Sequence, residues 1–127
     1  MNYQFKNIVF EGGGVKGIAY GGALHVLDEM KILDGVKRVA GTSAGAINAA
    51  LLAVGYSYKE VSDLISATNF NSFKDRSWFF ASNIGRVLRS FGYFKGELFI
   101  DWLGQCIKSK TGNADFTFGE LVKPGSE

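Results

Sequence analysis

The chain of 127 residues has one cysteine and one histidine, and each scarcity removes a class of explanation. With Cys106 alone no internal disulfide can form, so nothing points to an oxidising compartment. Cys106 lies in an apolar helical run, Trp102 to Ile107, where a thiol is expected to pack rather than react. His25 sits between Leu24 and Val26 on a helical stretch and reads as a packed or surface residue, not a general base. No cluster of His and Cys has metal-ligand spacing, so no metal and no cofactor is expected. Long hydrophobic runs are missing too: the longest, Ala44 to Val54, is too short to span a bilayer and is broken by Asn48. The stretch Met1 to Lys6 has no signal-peptide core, and the expected location is cytoplasmic or peripheral at a membrane. A net charge of only +2 argues against a nucleic-acid partner. Repeats and low-complexity runs are absent.

What the chain has is glycine, 17 residues of it, with 46% hydrophobic residues, a balance that suits tight turns between strands and helices. Two glycine clusters stand out. Gly41-Thr42-Ser43-Ala44-Gly45 follows a short apolar run, Val36 to Ala40, and precedes the alanine-rich helical run Ala44 to Val54. A strand that turns sharply into a helix around a serine is a nucleophile elbow, and the flanking glycines let the turn tighten without a Cβ collision. The alternative is a glycine-flanked turn with an idle serine.

The second cluster, Glu11-Gly12-Gly13-Gly14-Val15-Lys16-Gly17, comes straight after a predicted buried strand, Asn7 to Phe10. A helical pattern follows, with Ile18, Tyr20, Ala23, Leu24, Leu27 and Met30 apolar. Strand, glycine loop and helix start place backbone N–H groups at the positive end of a helix dipole, able to hold a phosphate, a dinucleotide or a developing oxyanion. Lys16 adds a charge that could hold an anionic group or fix the loop. Gly12 to Gly17 satisfies G-x-G-x-x-G, but the acidic residue that a dinucleotide site wants would be Asp34, and Lys31 to Gly35 is too turn-like for the second strand. A P-loop lacks its Gly-Lys-Ser/Thr. A serine hydrolase uses both clusters: one supplies the nucleophile, the other donors for its oxyanion.

With these motifs the chain resembles the patatin-like phospholipases, acyl hydrolases acting on lipids. Glu11 to Gly17 and Gly41 to Gly45 carry the resemblance, at the short separation usual in the family. Gly92-Tyr93-Phe94-Lys95-Gly96-Glu97, followed by Trp102-Leu103, and Thr117-Phe118-Gly119-Glu120-Leu121 support it, so that residues 6–121 look like the family. The resemblance implies a three-layer α/β/α fold with a mainly parallel sheet and a serine–aspartate dyad without a catalytic histidine. Ser43 would be the nucleophile. Gly12, Gly13, Gly14 and Ala44 would form the oxyanion hole, with Lys16, Gly17, Gly41 and Gly45 as supporting motif residues. The implied substrate is a lipid or phospholipid.

The family's dyad aspartate lies downstream in an Asp-Gly-Gly or Asp-Gly-Ala motif that this chain does not contain; Asp34-Gly35-Val36 precedes the serine. Asp28, Asp63 and Asp101 fall on solvated helix faces. The expectation is one domain over residues 1–127, the N-terminal portion of a larger patatin-like domain. Alternatives are a catalytically inactive lipid-binding protein and a nucleotide- or phosphate-binding module. Ser57 to Glu60 and Thr117 to Glu120 are capping-box signals for two further helices. Between them, Phe70, Phe73, Trp78, Phe79, Phe80, Phe91, Tyr93 and Phe94 are mixed with Lys74, Arg76, Arg86, Arg89 and Lys95. The expectation is a cap whose aromatics mostly pack inward, with peripheral membrane contact through 74–97, chiefly by Trp78, Phe79 and Phe80.

Overall fold

A computed structural model describes residues 4–69 and 96–122. Strand β1 (Asn7–Phe10) leads through a 3-10 turn (Gly14–Ala19) into α1 (Tyr20–Glu29). A second 3-10 turn (Leu33–Gly35) precedes β2 (Arg38–Gly41), and α2 (Ala44–Ala53), α3 (Tyr58–Ala67), α4 (Glu97–Thr111) and α5 (Phe118–Leu121) follow. β1 and β2 pair in parallel, with Asn7 opposite Arg38 and Phe10 opposite Gly41. The described residues thus form an α/β unit in which α2 packs on a two-stranded parallel sheet and α1 packs on α3.

The expected strand over 36–40 begins later, at Arg38. The preceding turn uses the Val36 N–H to reach the Leu33 carbonyl at 3.1 Å, so extended pairing starts only after Lys37 and Arg38 have both donated to the Lys6 carbonyl (2.8 and 3.0 Å). β1 departs from the expectation of a fully buried strand. Phe10 is buried while Val9, one residue earlier, is 75% exposed. Neighbouring side chains on a strand point to opposite faces, and α2 covers only one of them here.

The core gathers Phe10, Leu24, Ala49, Leu51, Val61, Ile65 and Cys106. The first helix starts later than its apolar pattern suggests, because Gly14 to Ala19 wind as a 3-10 turn; Leu24 is fully buried, but Ile18 and Met30 are about half exposed. Cys106 is a packed thiol, and burial raises its pKa above the ordinary value. Both expected capping boxes form: Ser57 and Thr117 accept from the N–H groups of Glu60 and Glu120, and each glutamate reaches back to its cap's own N–H (2.8 and 2.7 Å). A polar seam joins α3 to α4. Lys110 Nζ donates to Glu60 Oε1 at 2.7 Å and lies 4.7 Å from the Tyr56 ring centre, while Tyr56 Oη and Ser109 Oγ share the Cys106 carbonyl (2.9 and 2.8 Å).

Candidate active site

Ser43 caps α2 at φ +50° and ψ −125°, one of two non-glycine residues at positive φ among those described. A β-carbon is strained there, and such strain persists only when the surroundings over-determine it. The surroundings are on both sides. Gly45 N donates to the Thr42 carbonyl (2.8 Å), Thr42 N to the Phe10 carbonyl (3.1 Å), and Ala46 N to the Ser43 carbonyl (2.9 Å). Gly41 and Gly45 permit the crossing: an added β-carbon on Gly41 would collide with the Gly45 carbonyl, and one on Gly45 with the Phe10 carbonyl. The end of β1, the end of β2 and the start of α2 therefore meet at backbone distance.

The glycine loop comes to the same point. A β-carbon on Gly12 would lie 3.1 Å from Ser43 Cβ and 3.1 Å from Thr42 Oγ1; one on Gly17 would lie 3.0 Å from Ala44 Cβ. Gly14 needs its missing side chain for another reason, a φ of +56°. The loop is tied down by Tyr20, whose hydroxyl donates to the Glu11 carbonyl at 2.6 Å while its ring packs edge-on against Phe10, 5.1 Å between centres. Lys16 N donates to the Gly13 carbonyl (3.1 Å), but among the described residues the N–H groups of Gly12, Gly13, Gly14 and Ala44 have no acceptor. Backbone donors left without an acceptor near a serine hydroxyl are what stabilising a tetrahedral oxyanion requires. Lys16 itself is exposed and makes no ion pair among the described residues.

Ser43 opens onto a cleft of about 780 Å³, whose walls include Ile18, Ile47, Ile65, Phe99 and Leu103. A second cleft of about 860 Å³ runs along β2 and α2 but does not reach the serine. The other candidates are placed elsewhere. His25 is half exposed on α1, 3.5 Å from Glu29 and tilted over the Tyr58 ring at 5.2 Å between centres. Asp63 and Asp101 are exposed, Asp28 is half-buried, and Asp34 is exposed on its 3-10 turn. Among the described residues no carboxylate or imidazole hydrogen-bonds to Ser43, and no group of three or more His, Cys, Asp or Glu side chains comes together. No described helix is long and apolar enough to cross a membrane. The aromatic and basic residues from Phe70 to Lys95 lie outside the described residues.

In the sequence Asn48 stands out only as a break in an apolar run. It is 2% exposed, lines the serine's cleft, and its Nδ2 donates to the Ala44 carbonyl at 3.0 Å. The signal was available: a poor helix former in an otherwise Ala/Leu helix, one turn beyond the serine.

Comparison with known proteins gives this site a family. Residues 8–125 match the model of the patatin-like phospholipases. The chain is 39% identical over 119 residues to the uncharacterized protein YqhO of Bacillus subtilis (strain 168), covering 91% of this chain and 39% of that protein. It is 28% identical over 121 residues to the uncharacterized protein R571 of Acanthamoeba polyphaga mimivirus, covering 94% of this chain and 40% of the relative. Among solved structures it is similar to the type III effector protein ExoU, with a TM-score of 0.57 and 32% identity over 85% of this chain and 23% of that one. The complex of full-length SpcU with full-length ExoU from Pseudomonas aeruginosa gives 0.58 and 30%, over 85% and 22%. The chain spans about two fifths of the length of the curated relatives named here. It belongs to the patatin-like phospholipase family, a family of lipid hydrolases.

Proposed function

We propose that this member of the family hydrolyses acyl esters of lipids or phospholipids, with Ser43 as the nucleophile. The observation that carries the reading is a strained serine against which the glycine loop packs at Gly12, where an added β-carbon would lie 3.1 Å from Ser43 Cβ, with the N–H groups of Gly12 to Gly14 and of Ala44 lacking an acceptor among the described residues. Ser43 Oγ attacks the ester carbonyl carbon, and the negative charge that builds on the carbonyl oxygen is taken up by those N–H groups. Losing one such donor typically costs about 10²–10³ in rate. As the tetrahedral intermediate collapses, the ester C–O bond breaks, the alcohol leaves with a proton, and the acyl group stays on Ser43. Water then attacks the acyl-enzyme and releases the acid.

A serine hydroxyl needs a base to take its proton. The proposed base is the aspartate of a serine–aspartate dyad, supplied from outside these 127 residues. That assignment rests on the family pattern and on the chemistry of the nucleophile. The apolar walls of the serine's cleft suit an acyl chain, whose burial is worth about 0.8 kcal/mol per methylene. Contact with a lipid surface is proposed through the 74–97 segment; Leu98 and Ile100, 51% and 65% exposed at the start of α4, extend that segment with apolar side chains. The test is release of fatty acid from phospholipid vesicles by the full-length protein and by its Ser43→Ala variant. The reading expects release that falls by at least about 10³-fold in the variant. Equal release by both would overturn it.

A further inference from the structure

Asn48 has no part in the scheme above, yet it is the buried polar side chain of the described residues. Its Nδ2 donates to the Ala44 carbonyl at 3.0 Å, and its Oδ1 has no partner among the described residues. The reverse orientation of the amide would set two oxygens against each other, so the orientation follows from the contact. A leucine of nearly the same volume would remove an unpaired buried acceptor, and packing alone would favour it. The cost of an amide at this position therefore calls for a purpose in the site it borders.

That site depends on the backbone of Ser43 and Ala44. The strain at Ser43, φ +50° and ψ −125°, would relax by rotation about the bonds flanking the Ser43–Ala44 peptide, which would swing the Ala44 N–H away from the serine. The Ser43 carbonyl is held by Ala46 N at 2.9 Å and, more weakly, by Ile47 N at 3.4 Å. Asn48 holds the next carbonyl, that of Ala44, from the side chain. Its Nδ2 is also the second neighbour, at 4.0 Å, of a β-carbon placed on Gly17, so the amide lies where the glycine loop crosses α2. We infer that Asn48 is a positioning residue: it locks the first turn of α2 where the glycine loop crosses it, so that the Ala44 N–H stays aimed at the reacting carbonyl.

This inference rests on the hydrolase reading, and its test separates the two. Asn48→Leu keeps the volume and removes the amide; Asn48→Asp keeps the shape and removes the Nδ2 donor. In the full-length protein, with a soluble short-chain nitrophenyl ester, kcat is expected to fall by about 10–100-fold in both variants while KM stays within about twofold. The melting temperature of Asn48→Leu is expected to match or exceed that of the unmodified protein, which a merely structural role would not allow. A kcat within about twofold of the unmodified value in either folded variant overturns the inference. So does a loss of activity that only tracks a lowered melting temperature in both. If Ser43→Ala hydrolyses the ester as fast as the unmodified protein, the hydrolase reading itself fails and Asn48 falls with it. If Ser43 is required and the Asn48 variants are fully active, only the positioning role is lost.

Discussion

At the elbow, a serine is held at positive φ, and among the described residues neither its hydroxyl nor the N–H groups of Ala44 and of Gly12 to Gly14 in the adjoining loop have a partner. Some distance along the fold, the α3–α4 seam does the opposite. Tyr56 and Ser109 converge on one carbonyl, Lys110 meets Glu60 at 2.7 Å, and Glu60 also satisfies the N-terminus of its own helix. Both regions are polar and both join separate segments. The seam uses polar groups on each other, and its chemistry is exhausted by the fold. The elbow withholds them, and the fold sustains the resulting strain with glycine contacts and a packed core. Unspent donors and stored strain together mark where a chain is prepared for a ligand or a reaction, and satisfied networks mark where it is prepared only to stand.

The contrast can be broken at the elbow first. Gly45→Ala drives a β-carbon into the Phe10 carbonyl, a backbone atom that cannot step aside, and is expected to destabilise by more than about 4 kcal/mol or prevent folding, read by thermal melting. Leu51→Ala, at a fully buried position of the same helix, is expected to cost about 2–5 kcal/mol in chemical denaturation without touching the serine. Gly12→Ala sharpens the comparison, because the new methyl group sits 3.1 Å from Ser43 Cβ at a position with no positive-φ requirement. Because the methyl group would also lie 3.2 Å from the Thr42 carbonyl oxygen, its expected signature is ester hydrolysis slowed by about 10²-fold with a melting temperature lowered less than in Gly45→Ala.

At the seam, effects are expected on stability alone. Ser57→Ala removes a cap and should cost about 0.5–2 kcal/mol with no change in the reactivity of Ser43. Glu60 provides the smallest effect and a pH signature. Its hydrogen bonds from Lys110 first, then from Ser57, pull its pKa down from 4.5 to about 2. A carboxyl group with a lowered folded-state pKa stabilises above its ordinary value and loses that contribution as pH falls from about 4.5 towards 2. Glu120, lowered by its bonds with Thr117, acts in the same direction. Glu60→Gln should therefore flatten, without abolishing, the acid-side fall in melting temperature.

Much of this was legible in the sequence because the signals were local. Capping boxes act over three residues, and both formed; the glycine clusters bracket their turns by spacing alone, and the structure brings the two together. Less legible were features decided by neighbours in space. Val9 is apolar and yet 75% exposed, because alternation along β1 matters only once one face is covered. The start of β2 was set by a hydrogen bond from Val36 to Leu33, which composition does not register. Asn48 looked like a flaw in an apolar run until its burial and its bond to Ala44 gave it a place.

The central claim is that Ser43 is a nucleophile beside a working oxyanion hole. A fluorophosphonate probe tests it most directly: the probe bonds to an activated serine, and mass spectrometry of the digested full-length protein locates the adduct. The account predicts one adduct, on the peptide containing Ser43, absent from Ser43→Ala and slowed in Gly12→Ala. A folded protein that takes up no probe, or takes it up equally after Ser43→Ala, would contradict it.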